Sequence, residues 1–226
     1  MPPWNMPGRK INVGDRAYFD GLPESSYELS QVALCVWCHA HLVKGGQVVY
    51  HHQNRRVRGR LISPLAWLSA KERHRLVVQE EVVIAKGNSN NYGKHFLLPT
   101  TERLWVLRRI EDSPSDCYSE AKPDALSERC GNSTHDLWRF SGRIHGAPHS
   151  AVMLPEMAYR IIQKWSRPGA LVCDPYLGTG TTMLAAHQLG RSFVGAEIKL
   201  AFFKIAQRSL EKLNRTYAHQ SNRHKS

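Results

Sequence analysis

What this 226-residue chain lacks narrows it first. No stretch approaches the roughly 20 uninterrupted apolar residues of a membrane-crossing helix. Glycine (16) and proline (12) neither repeat nor accumulate, which excludes a collagen-like protein. The start, Met1-Pro2-Pro3-Trp4-Asn5, has neither the charged opening nor the apolar run of a signal peptide. The five cysteines, an odd number, are therefore expected to be reduced, in a cytoplasm. Acidic residues are scarce: 19 stand against 31 Lys and Arg, a formal net charge of +12. Internal repeats and low-complexity tracts are absent, and 42 % hydrophobic residues suffice for a core in one good-sized domain.

The positive surplus is local. Arg55 to Arg75 holds seven basic residues and one acid, and Lys199 to Ser226 repeats that balance, while the rest of the chain is neutral. Such runs suit a polyanion, nucleic acid first among them, although a solvated helix face has the same composition. Glu111 to Asp136 has seven acids against two bases, several Ser and little periodicity, and reads as an acidic surface loop or linker. Residues 215–226 read as a basic, disordered tail of a single domain spanning 1–226.

Periodicity predicts a helix over Tyr27 to Leu42, stopped by Lys44-Gly45-Gly46, and a buried strand at Gln47 to Tyr50. Leu76 to Ala85 and Arg103 to Arg109 are further strand candidates. Downstream, a helix over Leu154 to Trp165 is followed by a strand at Ala170 to Asp174 and a helix over Thr182 to Leu189. A strand at Ser192 to Ala196 and a helix from Leu200 to about Leu213 complete the pattern. Strands alternating with helices predict an α/β fold with a mostly parallel sheet.

The strongest local signal is Asp174-Pro175-Tyr176-Leu177-Gly178-Thr179-Gly180-Thr181-Thr182, between a predicted strand and a predicted helix. Open parallel sheets bind ligands beyond the carboxyl ends of their strands, where glycines let the backbone approach closely. Glu197, at the end of the next strand, suits hydrogen bonding to ribose hydroxyls. A dinucleotide fingerprint is incomplete, because Met183 stands in place of the third glycine, and no Gly-Lys-Ser/Thr follows to make a phosphate loop. A glycine turn that merely joins strand to helix is the bland reading.

This stretch, with Ala185-Ala186, Leu189-Gly190-Arg191 and Val194-Gly195-Ala196-Glu197-Ile198, resembles the S-adenosylmethionine loop of the amino-group DNA methyltransferases, which make N6-methyladenine or N4-methylcytosine. The resemblance implies that Asp174, Tyr176, Gly178, Gly180, Thr181 and Thr182 bind the cofactor, with Glu197 on its ribose. His149 to Leu154 resembles the segment that closes over the methionine end. Pro2-Pro3-Trp4 resembles the end of the family's catalytic tetrapeptide (Asp, Asn or Ser, then Pro-Pro, then an aromatic), in the permuted order that puts it ahead of the cofactor loop. Leu42 to Gly46, Val82 to Gly87 and Glu102 to Leu107 resemble the intervening segments.

Those residue types suit the chemistry. An exocyclic amino nitrogen has its lone pair delocalised into the base, so its N–H hydrogens must be accepted and the nitrogen aimed at a methyl sulfonium. The flipped base would stack on Trp4, and Pro2 and Pro3 would supply a rigid turn without competing N–H groups. The Pro-Cys dipeptide of the cytosine-C5 enzymes does not occur. Met1 stands where the tetrapeptide has its side-chain acceptor, and the central strand that precedes it in the family is missing. The chain is thus expected to start short of its motif or to be a relic that still binds DNA or cofactor.

Cys35-Val36-Trp37-Cys38-His39, with His41, mimics a haem or zinc motif, but lacks a second ligand pair and lies on a predicted helix that needs Leu34 and Trp37 for its core. The pairs His51-His52 and His145/His149 read as surface or loop residues, and no metal is expected. The expectation is therefore a Rossmann-like, S-adenosylmethionine-dependent DNA methyltransferase, cytoplasmic and bacterial or phage-encoded. Arg55, Arg56, Arg58 and Arg60 would contact DNA. A restriction endonuclease is the partner family habit implies, and an RNA methyltransferase is the alternative.

Overall fold

The computed structural model describes residues 22–86, 100–122, 124–140 and 152–223, with Lys86 and 216–223 in backbone alone. They divide into two units, the first holding 22–140 with Lys164–Ser166 and the second 152–163 with 167–223. The catalytic-motif residues Pro2, Pro3 and Trp4 lie outside the described residues, as do Gly87, His145 and His149.

The first unit opens with α1 (Glu24–His41), longer by one turn at its start than periodicity predicts. Tyr27, Gln31, Val32 and Cys35 form its buried stripe, Glu24 faces the positive end of the helix, and His39 and His41 the negative end. The helix stops at Leu42, whose backbone is extended, and in the turn that follows Gly45 takes φ +73°, where a Cβ would collide with the Asp116 carbonyl. Next come β1 (Gln47–His52), a hairpin of β2 (Arg55–Val57) and β3 (Arg60–Ile62), and two single turns, α2 (Leu65–Leu68) and α3 (Lys71–His74). Then follow β4 (Leu76–Lys86), β5 (Thr101–Arg109), a 3-10 turn at Pro114–Asp116, α4 (Ser127–Cys130) and β6 (Leu137–Phe140).

The sheet order is β1-β5-β4-β6. β5 is antiparallel to both β1 and β4, whereas β6 is parallel to β4. The α/β class holds, but this sheet is mixed rather than mostly parallel. The joining sequence between β4 and β5 is rich in Asn and Gly and carries no helical periodicity, whereas a parallel pair needs a crossover connection, usually a helix. The run Leu104-Trp105-Val106-Leu107 is fully buried, so β5 is covered on both faces. Tyr27, Cys35, Tyr50, Trp67, Leu76, Trp105 and Leu107 form the main core. Trp138 stacks on Trp165 at 5.5 Å.

The start of the acidic segment is pinned to this unit. Asp112 is buried, accepts both arms of the Arg109 guanidinium at 3.0 and 2.7 Å, and takes the Gly45 N–H at 2.9 Å. Ser113 and Asp116 close a capping box on the 3-10 turn, and Lys44 pairs with Asp116 at 3.0 Å.

The second unit contains α5 (Pro155–Trp165, whose last two residues belong to the first unit), β7 (Leu171–Asp174), α6 (Thr181–Gln188), β8 (Ser192–Gly195) and α7 (Leu200–Arg223). β7 and β8 are parallel, as expected of a strand-helix-strand crossover. Ala158 and Ile162 of α5 meet Ala185 and Ala186 of α6, small residues that let the helices approach. Among the described residues no helix is long and apolar enough to cross a membrane.

One buried group sets a pH dependence for the first unit. His52 is fully buried, with Nε2 2.7 Å from the Tyr27 hydroxyl and Nδ1 2.7 Å from the Gln53 carbonyl oxygen. Burial pushes its pKa down to about 3. Unfolding restores a pKa near 6.5, so the unfolded chain takes up a proton that the folded one refuses, and stability falls as pH drops from about 6.5 toward about 3. The loss in urea-denaturation free energy should approach about 1 kcal/mol per pH unit below 6. His52→Gln, which cannot titrate, should flatten that slope between pH 6 and 4.5.

Candidate cofactor loop and nucleic-acid face

β7 ends at Asp174, and the six residues 175–180 that lead into α6 are held by hydrogen bonds to Asp174 and to the residues that follow β8. The Asp174 carboxylate accepts the Tyr176 N–H at 2.9 Å, an Asx turn that redirects the chain after Pro175. Leu177 buries its side chain and donates its N–H to the Ala196 carbonyl at 2.9 Å, while Ala196 donates to the Asp174 carbonyl at 3.1 Å. Glu197 completes the tie: one carboxylate oxygen accepts the Gly178 N–H and the other the Lys199 N–H, each at 2.8 Å. Asp174, Tyr176, Gly178 and Glu197 are thus gathered by local contacts at the carboxyl ends of two parallel strands.

The two glycines are required for different reasons. Gly178 has φ +56°, and a Cβ there would meet only the Tyr176 carbonyl oxygen at 3.9 Å, so the backbone presents an open face. Gly180 has φ +92° and sits at the start of α6, where a Cβ would stand 2.9 Å from Ala206 Cβ and 3.0 Å from the Met183 methyl. One glycine leaves room for a ligand; the other lets α7 pack. Thr181 and Thr182 form the first turn of α6, whose free N–H groups and positive dipole end face the loop. Lys199 and Arg160, which the sequence did not single out, are both buried in this unit, Lys199 with its ammonium 5.6 Å from the Phe202 ring. Arg160 lies among the apolar positions of α5, and Lys199 immediately precedes α7. Burial beside Asp174 pushes the Cys173 thiol pKa up, which keeps it protonated.

In the first unit the four arginines expected at nucleic acid separate. Arg55 is buried; its guanidinium forks onto Glu24 at 3.0 and 2.6 Å and lies 4.9 Å from the centre of the Tyr27 ring. It ties the hairpin to α1, and with only 2 % of its side chain exposed it is turned to Glu24 rather than to solvent, unlike the other three arginines expected at DNA. Arg56, Arg58 and Arg60 are exposed.

The metal-like motif resolves into separate uses. Cys35 is buried, and burial followed by the neighbouring Cys38 raises its thiol to about 12. His39 bonds Glu111 at 2.9 Å, and His41 stacks on Trp37 at 4.3 Å. Among the described residues no three His, Cys, Asp or Glu side chains gather as a metal site. His51, expected at the surface, is buried and pairs with Glu102 of β5 at 2.9 Å, and His52 is buried too, against Tyr27 of α1 and Trp67 of α2.

Comparison with known families places the whole. A model of the N6/N4 DNA methylases matches residues 11–208. The chain belongs to the N6/N4 DNA methylase family. Over 135 residues it is 40 % identical to the type II methyltransferase M2.DpnII of Streptococcus pneumoniae, a match covering 56 % of this chain and 48 % of that protein. With M.HinfI of Haemophilus influenzae identity is 34 % over 65 residues, 29 % of this chain and 18 % of the relative. The chain spans less than half the length of these curated relatives. Two solved structures share the fold: the cytosine-N4-specific PvuII DNA methyltransferase (TM-score 0.65, 14 % identity, 85 % of this chain and 73 % of that one) and an M1.HpyAVI–SAM complex (TM-score 0.61, 18 % identity, 84 % and 85 %). The fold is therefore the Rossmann-like α/β fold of the methyltransferases, as the sequence predicts.

The two glycines of the methylase loop are separable by stability. Gly180→Ala combines a left-handed backbone with a collision against α7 and should cost about 2–3 kcal/mol. Gly178→Ala carries the backbone term alone, about 1 kcal/mol. Urea denaturation followed by circular dichroism should rank the two variants in that order.

Proposed function

We propose that this chain transfers a methyl group from S-adenosylmethionine to the exocyclic amino group of adenine or cytosine in DNA. The observation that carries the proposal is the loop from Asp174 to Thr182, tied by Glu197 at the ends of β7 and β8 and left open at Gly178. The residues fit such a cofactor. The open backbone at Gly178 is a cradle that any side chain would fill, and each Glu197 oxygen has accepted one N–H and retains a lone pair for a ribose hydroxyl. Asp174, Tyr176, Gly178, Gly180, Thr181 and Thr182 would hold the methionine and sugar parts.

The bound cofactor would supply an electrophilic methyl on a sulfonium. The protein's own task is to bring a poor nucleophile to it. Trp4 would stack the flipped base, Pro2 and Pro3 would hold the turn rigid, and a backbone carbonyl beside them would accept the amino N–H and so aim the nitrogen at the methyl; the proton that the nitrogen gives up on methylation would pass to solvent water. Membership of a DNA methylase family and the relatives' type II methyltransferase names support DNA as substrate. The same names make a restriction endonuclease of matching specificity the natural partner, and a prokaryotic cytoplasm the place of action.

The test has two readouts. Equilibrium dialysis with labelled S-adenosylmethionine should detect binding by the full chain; Gly178→Ala and Glu197→Gln should weaken it at least tenfold, a loss of about 1.4 kcal/mol, while the fold persists. Labelled methyl should move to duplex DNA, and Trp4→Ala should lower that transfer by tenfold or more with cofactor binding intact. Cofactor binding without transfer to DNA would overturn the enzymatic reading, and transfer to RNA alone would replace the substrate.

A further inference from the structure

The hairpin of β2 and β3 is an exposed basic element without a single acid, and its geometry is more specific than its charge. Arg55–Ile62 contains four arginines and no acid. The two strands pair Arg55 with Ile62, Arg56 with Leu61 and Val57 with Arg60. Cross-strand partners share a face, and faces alternate along a strand. Arg55 and Ile62 accordingly face inward, Arg55 clamped by Glu24 and Tyr27, and Ile62 packed on the core cluster. Arg56 and Leu61 face outward together, and Leu61 is 61 % exposed. The two-residue turn has φ +50° at Arg58 and +78° at Gly59, the paired positive values of a type I′ turn.

An arginine at the first turn position is a costly choice where Asn, Asp or Gly is favoured, and a leucine exposed between arginines gains nothing in water. Both choices gain a purpose against a duplex. A two-stranded ribbon, with backbones about 4.8 Å apart, is admitted by the major groove, about 12 Å wide, and not by the minor groove, about 6 Å wide. Arginine is the side chain that forks onto guanine O6 and N7 there, and an apolar side chain meets the thymine methyl.

We propose that the β2–β3 hairpin enters the major groove of DNA as a sequence-reading ribbon, with Arg58 at its tip recognising guanine and Leu61 contacting a neighbouring base edge. This inference rests on DNA being the substrate. Arg55 is then the positioning residue that fixes the ribbon's base against α1, and Arg60, on the opposite face of the ribbon from Leu61, is placed for backbone phosphates.

The experiment selects bound sequences from a pool of randomised DNA duplexes with the full chain, wild type and two variants. Arg58→Asn keeps a residue that accepts the left-handed turn but removes the guanidinium; Leu61→Ser changes an exposed side chain only. Wild type should enrich a motif containing guanine. Arg58→Asn should lose the preference at one guanine by about fivefold or more, and Leu61→Ser should relax an adjacent position. Replacing that guanine by 7-deazaguanine, which lacks the N7 acceptor, should weaken wild type and leave Arg58→Asn unchanged. An unchanged motif in Arg58→Asn, with binding weakened equally on all sequences or not at all, overturns the proposal, as does stronger competition by RNA than by duplex DNA. Cofactor binding and methyl transfer, measured separately, tell this failure from failure of the methyltransferase reading.

Discussion

The Glu197 carboxylate is the constraint on which the cofactor loop depends. The loop presents bare backbone at Gly178, and the peptide groups there need partners from outside it. Glu197 gives one oxygen to the Gly178 N–H and the other to the Lys199 N–H, so a single side chain fixes both the loop and the entry to α7. The Leu177–Ala196 and Ala196–Asp174 backbone bonds then lace the two strand ends together. A carboxylate so used remains an acceptor, which leaves Glu197 free to serve as a ligand group under the proposed function.

The first unit solves a comparable problem with an opposite charge. Its hairpin of three paired residues per strand is too short to stand alone. Arg55 ties it down through Glu24 and the Tyr27 ring, and Tyr27 in turn bonds His52 at the end of β1. Burial keeps that histidine neutral, so no second positive charge competes with Arg55 for Glu24. One arginine is withdrawn from the surface so that three others are held out from it.

The order of elements was readable because each depends on local pattern. α1 shows a stripe at helical spacing, and Leu104 to Leu107 shows a continuous apolar run. The loop from Asp174 to Thr182 was readable for a further reason: Asx turns, left-handed glycines and a helix start are short-range geometry written in consecutive residues. Glu197 followed because β8 is short and its end is near. The reversal of β5 was harder to see, since direction is set by what joins the strands and the joining segment carries no periodic signal. The roles of Arg55, His51 and His52 were unreadable, because each takes its partner from a distant element: Glu24 lies 31 residues from Arg55, and Glu102 lies 51 from His51.

By itself the sequence determined the α/β class, the methylase family and the cofactor loop, all of which rest on contiguous residues whose backbone preferences are intrinsic. Only the tertiary structure decided which basic residues face solvent. Charge counts treat Arg55, Arg56, Arg58 and Arg60 alike, whereas strand pairing turns alternate side chains to opposite faces, so Arg55 turns inward to the Glu24 carboxylate and Arg56 to the surface. The physical reason is the period of two in a strand: register, which only pairing and packing establish, sends neighbouring arginines to different environments.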